Sequence, residues 1–85
     1  MIHNKKIFIT GGAGYLGSHL VERYYKDNEI TVYSRDEAKH YYLKKRFPHI
    51  KCIIGDIRNY ELLTRSAFGH DIGIFAASLK QIGAV

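Results

Sequence analysis

Apolar residues come in four short runs, separated by three stretches where they recur every three or four positions. Lys6-Ile7-Phe8-Ile9-Thr10 is rich in β-branched and aromatic residues and ends at glycine, which predicts a first strand covered on both faces. From Tyr15 to Asp27, Leu16, Leu20, Val21 and Tyr24 fall at helical spacing while Glu22, Arg23 and Lys26 are placed for water, predicting a helix of about three turns. Asp27-Asn28 breaks that pattern, and Ile30-Thr31-Val32-Tyr33-Ser34 has strong strand propensity. Ser34 or Asp36 is positioned to cap a second helix running through Ala38 to Phe47 and stopping at Pro48. Lys51-Cys52-Ile53-Ile54 returns to strand, and a third helix is expected from about Tyr60 to Phe68, with Leu62, Leu63, Ala67 and Phe68 on one side and Gly69 ending it. Asp71-Ile72-Gly73-Ile74-Phe75-Ala76-Ala77 is the fourth apolar run, and the small residues at its end would let a ligand approach the backbone.

The order β-α-β-α-β-α-β, with connections long enough for right-handed crossovers, implies an α/β architecture with helices on a parallel sheet. In the doubly wound strand order 3-2-1-4, the first and fourth strands meet at the switch point, and ligands sit beyond the strand carboxyl ends there. Gly11, Ser34, Asp56 and Ala76, which end or follow the four strands, should therefore line one crevice. The expected fold is a partial Rossmann-like sheet.

Within that frame Thr10-Gly11-Gly12-Ala13-Gly14-Tyr15-Leu16-Gly17 acquires a chemical meaning, because it joins the first strand to the first helix. Gly11 allows a sharp turn, Gly14 allows close approach of a pyrophosphate, and Gly17 allows helix and strand to pack closely. The N–H groups at the helix start, aligned with the helix dipole, favour the phosphates. A domain preferring NAD usually carries Asp or Glu after the second strand, about 20 residues beyond the glycines. Here Ser34-Arg35 occupies that place. The Ser34 hydroxyl can donate to a 2′-phosphate and the Arg35 guanidinium can pair with it through two bonds, so NADP is the expected cofactor. Lys39, one helical turn beyond Arg35, can add a second positive charge, and Asp36 can turn its oxygens to backbone N–H groups as a cap. Asp56 could accept from an adenine amino group with Ile57 packed on the ring, or it could cap the following turn. Lys80, after the fourth strand, is placed to reach cofactor or substrate phosphates.

Composition narrows the picture without redirecting it. The chain of 85 residues has room for one domain, is 46% hydrophobic and 25% charged, and shows no bias towards disorder or repeats. Its single cysteine, Cys52, lies in an apolar run, fits core packing, and excludes an internal disulfide or zinc cluster. No signal-peptide hydrophobic region precedes the glycines and no apolar run approaches about 18 residues, so a cytoplasmic protein without a membrane span is expected. A formal charge of +5 and the cluster Lys39, His40, Lys44, Lys45 and Arg46 around Tyr41 and Tyr42 raise nucleic-acid binding. A solvated helix face that also helps hold an anionic cofactor is the preferred explanation, so no nucleic acid and no metal are expected.

Taken together, Thr10-Gly-Gly-Ala-Gly-Tyr-Leu-Gly17, Tyr33-Ser-Arg-Asp-Glu37, Gly55-Asp-Ile-Arg58 and Ala76-Ala-Ser-Leu-Lys-Gln81 resemble the N-terminal part of the extended short-chain dehydrogenase/reductase family. The closest likeness is to its inverting UDP-N-acetylglucosamine 4,6-dehydratases. The resemblance implies that Tyr15, Leu16, Gly17 and Ser18 meet the pyrophosphate side, that Ser34 to Lys39 hold the adenosine phosphate, and that Asp56-Ile57 flank adenine. Ala76 and Lys80 would approach the nicotinamide ribose and the sugar nucleotide. Phe75 stands where relatives commonly have histidine, Ser78 where alanine is usual, and Gly83 where a proline is expected, all on the substrate side. Such enzymes need a tyrosine base assisted by a lysine. Tyr41 and Lys45 have that spacing but lie on the second helix, so no catalytic residue is assigned. The resemblance implies residues 1–85 to be the cofactor-binding part of a nucleotide-sugar dehydratase or epimerase, with the catalytic part lying elsewhere. A non-catalytic dinucleotide-binding or assembly module is the alternative. An exposed fourth strand would favour an oligomer or a partner chain.

Overall fold

Strands β1 (Lys6–Thr10), β2 (Glu29–Ser34), β3 (Lys51–Ile54) and β4 (Ile72–Phe75) form one sheet in a computed structural model that describes residues 3–11 and 14–75, the side chain of Tyr15 excepted. Helices α1 (Tyr15–Tyr24), α2 (Glu37–Arg46) and α3 (Tyr60–Ala67) alternate with them. All the pairings are parallel and the order is β3-β2-β1-β4, the order expected from the sequence for a doubly wound sheet. Phe8 sits opposite both Thr31 of β2 and Gly73 of β4, and Tyr33 opposite Ile53 of β3. The unbroken apolar runs are the two central strands: Ile7, Phe8 and Ile9 of β1 and Ile30 to Tyr33 of β2 are all buried.

The pleat divides these residues between two faces. Ile7, Ile9, Ile30 and Val32 pack with Val21 of α1 and with Leu43 of α2, followed by Phe47 and Ile50, to make the core. On the other face the Phe8 ring lies 5.7 Å from Tyr33 and 5.3 Å from His70, whose Nε2 is 2.9 Å from the Thr31 hydroxyl. Cys52 is half-buried against the core, and burial pushes its thiol pKa up.

Helix ends differ from the sequence expectation for local reasons. α1 ends at Tyr24 rather than Asp27 because Asn28 intervenes: its Nδ2 donates to the Tyr24 carbonyl at 2.9 Å, and its Oδ1 accepts from Lys5 N–H at 3.0 Å. Of the two candidate caps for α2, Asp36 takes the role, its Oδ1 accepting from Lys39 N–H at 3.0 Å. The helix stops at Arg46, one residue before the expected Phe47, since a residue preceding proline is driven out of the helical region. Phe68 corrects the sequence reading more substantially. It lies beyond α3 in extended conformation with 86% of its surface exposed, so it is not part of that helix's apolar side. His40 is likewise buried on α2 and is not part of the basic surface that Lys39, Lys44, Lys45 and Arg46 present.

Candidate functional site

The carboxyl ends of β1, β2 and β3 open into a cleft of about 510 Å³ lined by Gly11, Tyr33, Ser34, Arg35, Gly55, Asp56, Ile57 and Arg58. Parallel strands end together on one side, which is why residues from three separate segments converge there. The β1 chain turns away at Gly11, whose φ of 72° favours glycine, and its N–H donates to the Tyr33 carbonyl at 2.9 Å. Gly55 N–H donates in turn to the Ser34 carbonyl at 3.0 Å.

Tyr33 and Gly55 set the floor of the cleft together. The Tyr33 side chain is fully buried and its hydroxyl donates to the Asp56 carbonyl at 2.8 Å. A β-carbon at Gly55 would lie 2.5 Å from the Tyr33 Cζ and Oη, so this glycine is required by close approach rather than by φ. Burial and the nearby Asp56 charge push the Tyr33 pKa up.

Asp56 is the electrostatic centre of the cleft. Its Oδ1 accepts from the Arg58 N–H at 2.9 Å, capping the turn after β3, and its Oδ2 accepts from Arg58 Nη2 at 2.9 Å. Arg58 Nε adds a bond to Oδ1 at 3.2 Å, so the pair is bidentate. Arg35 approaches from the other strand, its Nη1 3.6 Å from Oδ2. The Arg58 hydrogen bonds, with both guanidinium charges, hold the Asp56 carboxyl at about 2, well below the usual carboxylate range. Ser34 Oγ lies 2.7 Å from His40 Nε2 and accepts weakly from Asp36 N–H at 3.4 Å.

Of the residues singled out from sequence, Gly11, Ser34, Arg35, Asp56 and Ile57 meet in this cleft. Asp36 and Lys39 stand just outside its lining at the start of α2, with Lys39 Nζ 3.9 Å from Asp36 Oδ2. Gly14 caps α1, its N–H donating to the Gly11 carbonyl at 3.1 Å; Leu16, buried Gly17 and Ser18 follow on that helix with the Tyr15 backbone, outside the cleft lining. Ala76 and Lys80 lie outside the described residues. Arg58, Tyr33 and Gly55 line the cleft but were not assigned to it from sequence. The Asp-x-Arg spacing after β3 was the available signal for Arg58. Tyr41 and Lys45 stand on α2 away from the cleft lining, with the Lys45 ammonium 5.1 Å from the centre of the Tyr41 ring.

Three cations, Arg35, Lys39 and Arg58, surround two carboxylates here, so the rim retains positive charge beside a half-buried isoleucine. Guanidinium and ammonium groups of this kind can pair with a phosphate. Among the described residues there is no cluster of three or more His, Cys, Asp or Glu able to hold a metal ion, and no helix is long and apolar enough to cross a membrane.

Residues 7–85 match the family described as "Polysaccharide biosynthesis protein". A UDP-glucose 4-epimerase from Rickettsia massiliae (strain Mtu5) is 38% identical over 90 residues, an alignment covering 96% of this chain and 26% of the relative. The inverting UDP-N-acetylglucosamine 4,6-dehydratase of Campylobacter jejuni subsp. jejuni is 37% identical over 87 residues, with the same two coverages. The chain thus spans about a quarter of the length of these curated relatives. Among solved structures, Pen from Bacillus thuringiensis superposes with a TM-score of 0.82 at 26% identity, covering 89% of this chain and 25% of that one. The Bordetella bronchiseptica enzyme WbmG, solved in complex with NAD, gives 0.75 at 28% identity over 86% of this chain and 24% of its own.

Proposed function

The chain belongs to the polysaccharide biosynthesis protein family, and we propose that it binds the adenosine half of NADP for an enzyme acting on a nucleotide sugar. A relative named as a UDP-sugar epimerase, another named as a UDP-sugar 4,6-dehydratase and a structural neighbour holding NAD support the class of enzyme and of cofactor. The preference for NADP rests on one observation. Arg35 is 71% exposed at the lip of the cleft and stands 3.6 Å from an Asp56 carboxylate that Arg58 already engages at 2.9 Å. Its guanidinium is therefore available to a 2′-phosphate, where a carboxylate after β2 would repel one.

In this reading Ser34, Arg35 and Lys39 meet the 2′-phosphate, while Asp36 directs its charge into the α2 cap. Asp56 and Ile57 flank adenine. Gly11 and Gly14 bring the backbone against the pyrophosphate, and α1 turns its N-terminal dipole towards it through Tyr15, Leu16, Gly17 and Ser18. Ala76 and Lys80 serve the nicotinamide ribose and the sugar nucleotide. When bound, the nicotinamide supplies a hydride acceptor for oxidation of the sugar. The part of these residues is binding and orientation, and the β4 edge pairs with a further strand from the same enzyme or a partner chain.

Arg35→Glu tests the assignment by titration of the chain with NADP and with NAD. A lost charge-assisted, two-pronged contact should weaken NADP by about tenfold to a hundredfold and leave NAD within about twofold. Equal losses for both dinucleotides would overturn the 2′-phosphate assignment.

A further inference from the structure

We propose that His40 is a positioning residue that fixes the polarity of the Ser34 hydroxyl, accounting for its oxygen's lone pairs so that its proton is presented to the cleft. The inference deepens the NADP reading, on which it rests for the identity of the anion received. Sequence alone placed His40 in an exposed basic cluster; the fold places it under the strand end that carries Ser34.

The argument is a count of donors and acceptors. A serine hydroxyl has one proton and two lone pairs, and neutral imidazole has one N–H and one bare nitrogen. Ser34 Oγ already receives Asp36 N–H at 3.4 Å and lies 2.7 Å from His40 Nε2. The other ring nitrogen, Nδ1, is buried and has no hydrogen-bond partner among the described residues. If Nδ1 carried the proton, an N–H donor would be buried with nothing to receive it, the rarer and costlier kind of orphan. The Ser34 proton would then be committed to Nε2, leaving the hydroxyl nothing to donate. With the proton on Nε2, the orphan is a lone pair, and Nε2–H and Asp36 N–H together occupy both lone pairs of Ser34 Oγ. The Ser34 proton is left for an acceptor in the cleft, which is what an anionic oxygen needs. Burial holds the ring neutral, its pKa lowered despite the charge of Asp36, so a doubly protonated ring does not blur the choice.

Two measurements test this on the full chain. Nitrogen-15 chemical shifts of the His40 ring without any ligand should show the Nε2–H form; the Nδ1–H form would overturn the proposal. Affinities for adenosine 2′,5′-bisphosphate and adenosine 5′-monophosphate then follow the consequence. His40→Leu should weaken the bisphosphate about tenfold and leave the monophosphate unchanged, with His40→Gln, which restores a donor at the Nε2 position, recovering most of the loss. In a Ser34→Ala background the same His40→Leu change should have no further effect on the bisphosphate. Equal losses for both nucleotides, or an undiminished loss in the Ser34→Ala background, would mean His40 only supports the fold and would overturn the proposal. A wild-type chain that binds both nucleotides equally would instead sink the NADP reading, while the ring shifts would still decide the polarity of Ser34.

Discussion

At the scale of single residues, the cleft depends on groups whose roles differ from what their residue type suggests. Gly55 is the sharpest case: a methyl group there meets the buried Tyr33 ring at 2.5 Å, and that ring is held by its bond to the Asp56 carbonyl and by Phe8. Gly55→Ala should therefore cost about 1–3 kcal/mol, the range for overpacking a fixed site. Denaturant unfolding measures it, and a midpoint unchanged from the parent chain would show that the ring yields. Sequence reading recovered Ser34, Arg35, Asp56 and Ile57 because they follow strands at set distances from the glycine turn. It passed over Tyr33 and Gly55, since a collision between side chains 22 residues apart leaves no local pattern. Asp56 was left between adenine ligand and turn cap; its bond to Arg58 N–H makes it a cap, and its other contacts make it the anion between two arginines.

At the scale of elements, existence and type were legible and the ends were decided by particular hydrogen bonds. Unbroken Ile-Phe-Ile in β1 and Ile-Thr-Val-Tyr in β2 marked central strands, because only burial on both faces tolerates such runs. Which of Ser34 and Asp36 caps α2 was not legible, since both are good caps two residues apart. The structure assigns the cap to Asp36 and leaves Ser34 to His40, so the two neighbours divide fold and site between them. Asp36→Ala should lower stability by about 0.5–2 kcal/mol through the lost cap, checked by thermal unfolding, with α2 fraying from its first turn in hydrogen exchange. No loss of stability would show that the helix is held by Leu43 and Phe47 packing alone.

At the scale of the whole molecule, two groups tie stability to pH with the same sign. Asp56 has a depressed carboxyl, so its contribution is present above the ordinary carboxylate range and is lost as pH falls towards about 2. His40 has a lowered pKa, so the unfolded chain takes up a proton before the folded one does, and stability declines as pH falls through the ordinary histidine range. The unfolding midpoint should therefore drop between about pH 7 and pH 5, and His40→Gln should flatten that part of the curve while leaving the steeper acid limb. An unchanged slope in the variant would show that His40 does not carry the effect. The sequence by itself determined the alternation of elements and the parallel sheet, because hydrophobic period and glycine placement leave right-handed crossovers as the consistent solution, and the glycine turn pointed to the dinucleotide-fold order 3-2-1-4. Only the tertiary structure decided that Arg58 closes on Asp56, that Tyr33 lies under Gly55, and that His40 turns inward to Ser34. The Tyr33–Gly55 contact joins separate segments and is set by where the strands end in space; the other two pairs are near in sequence, but the direction in which Arg58 and His40 turn is set by the packing around them.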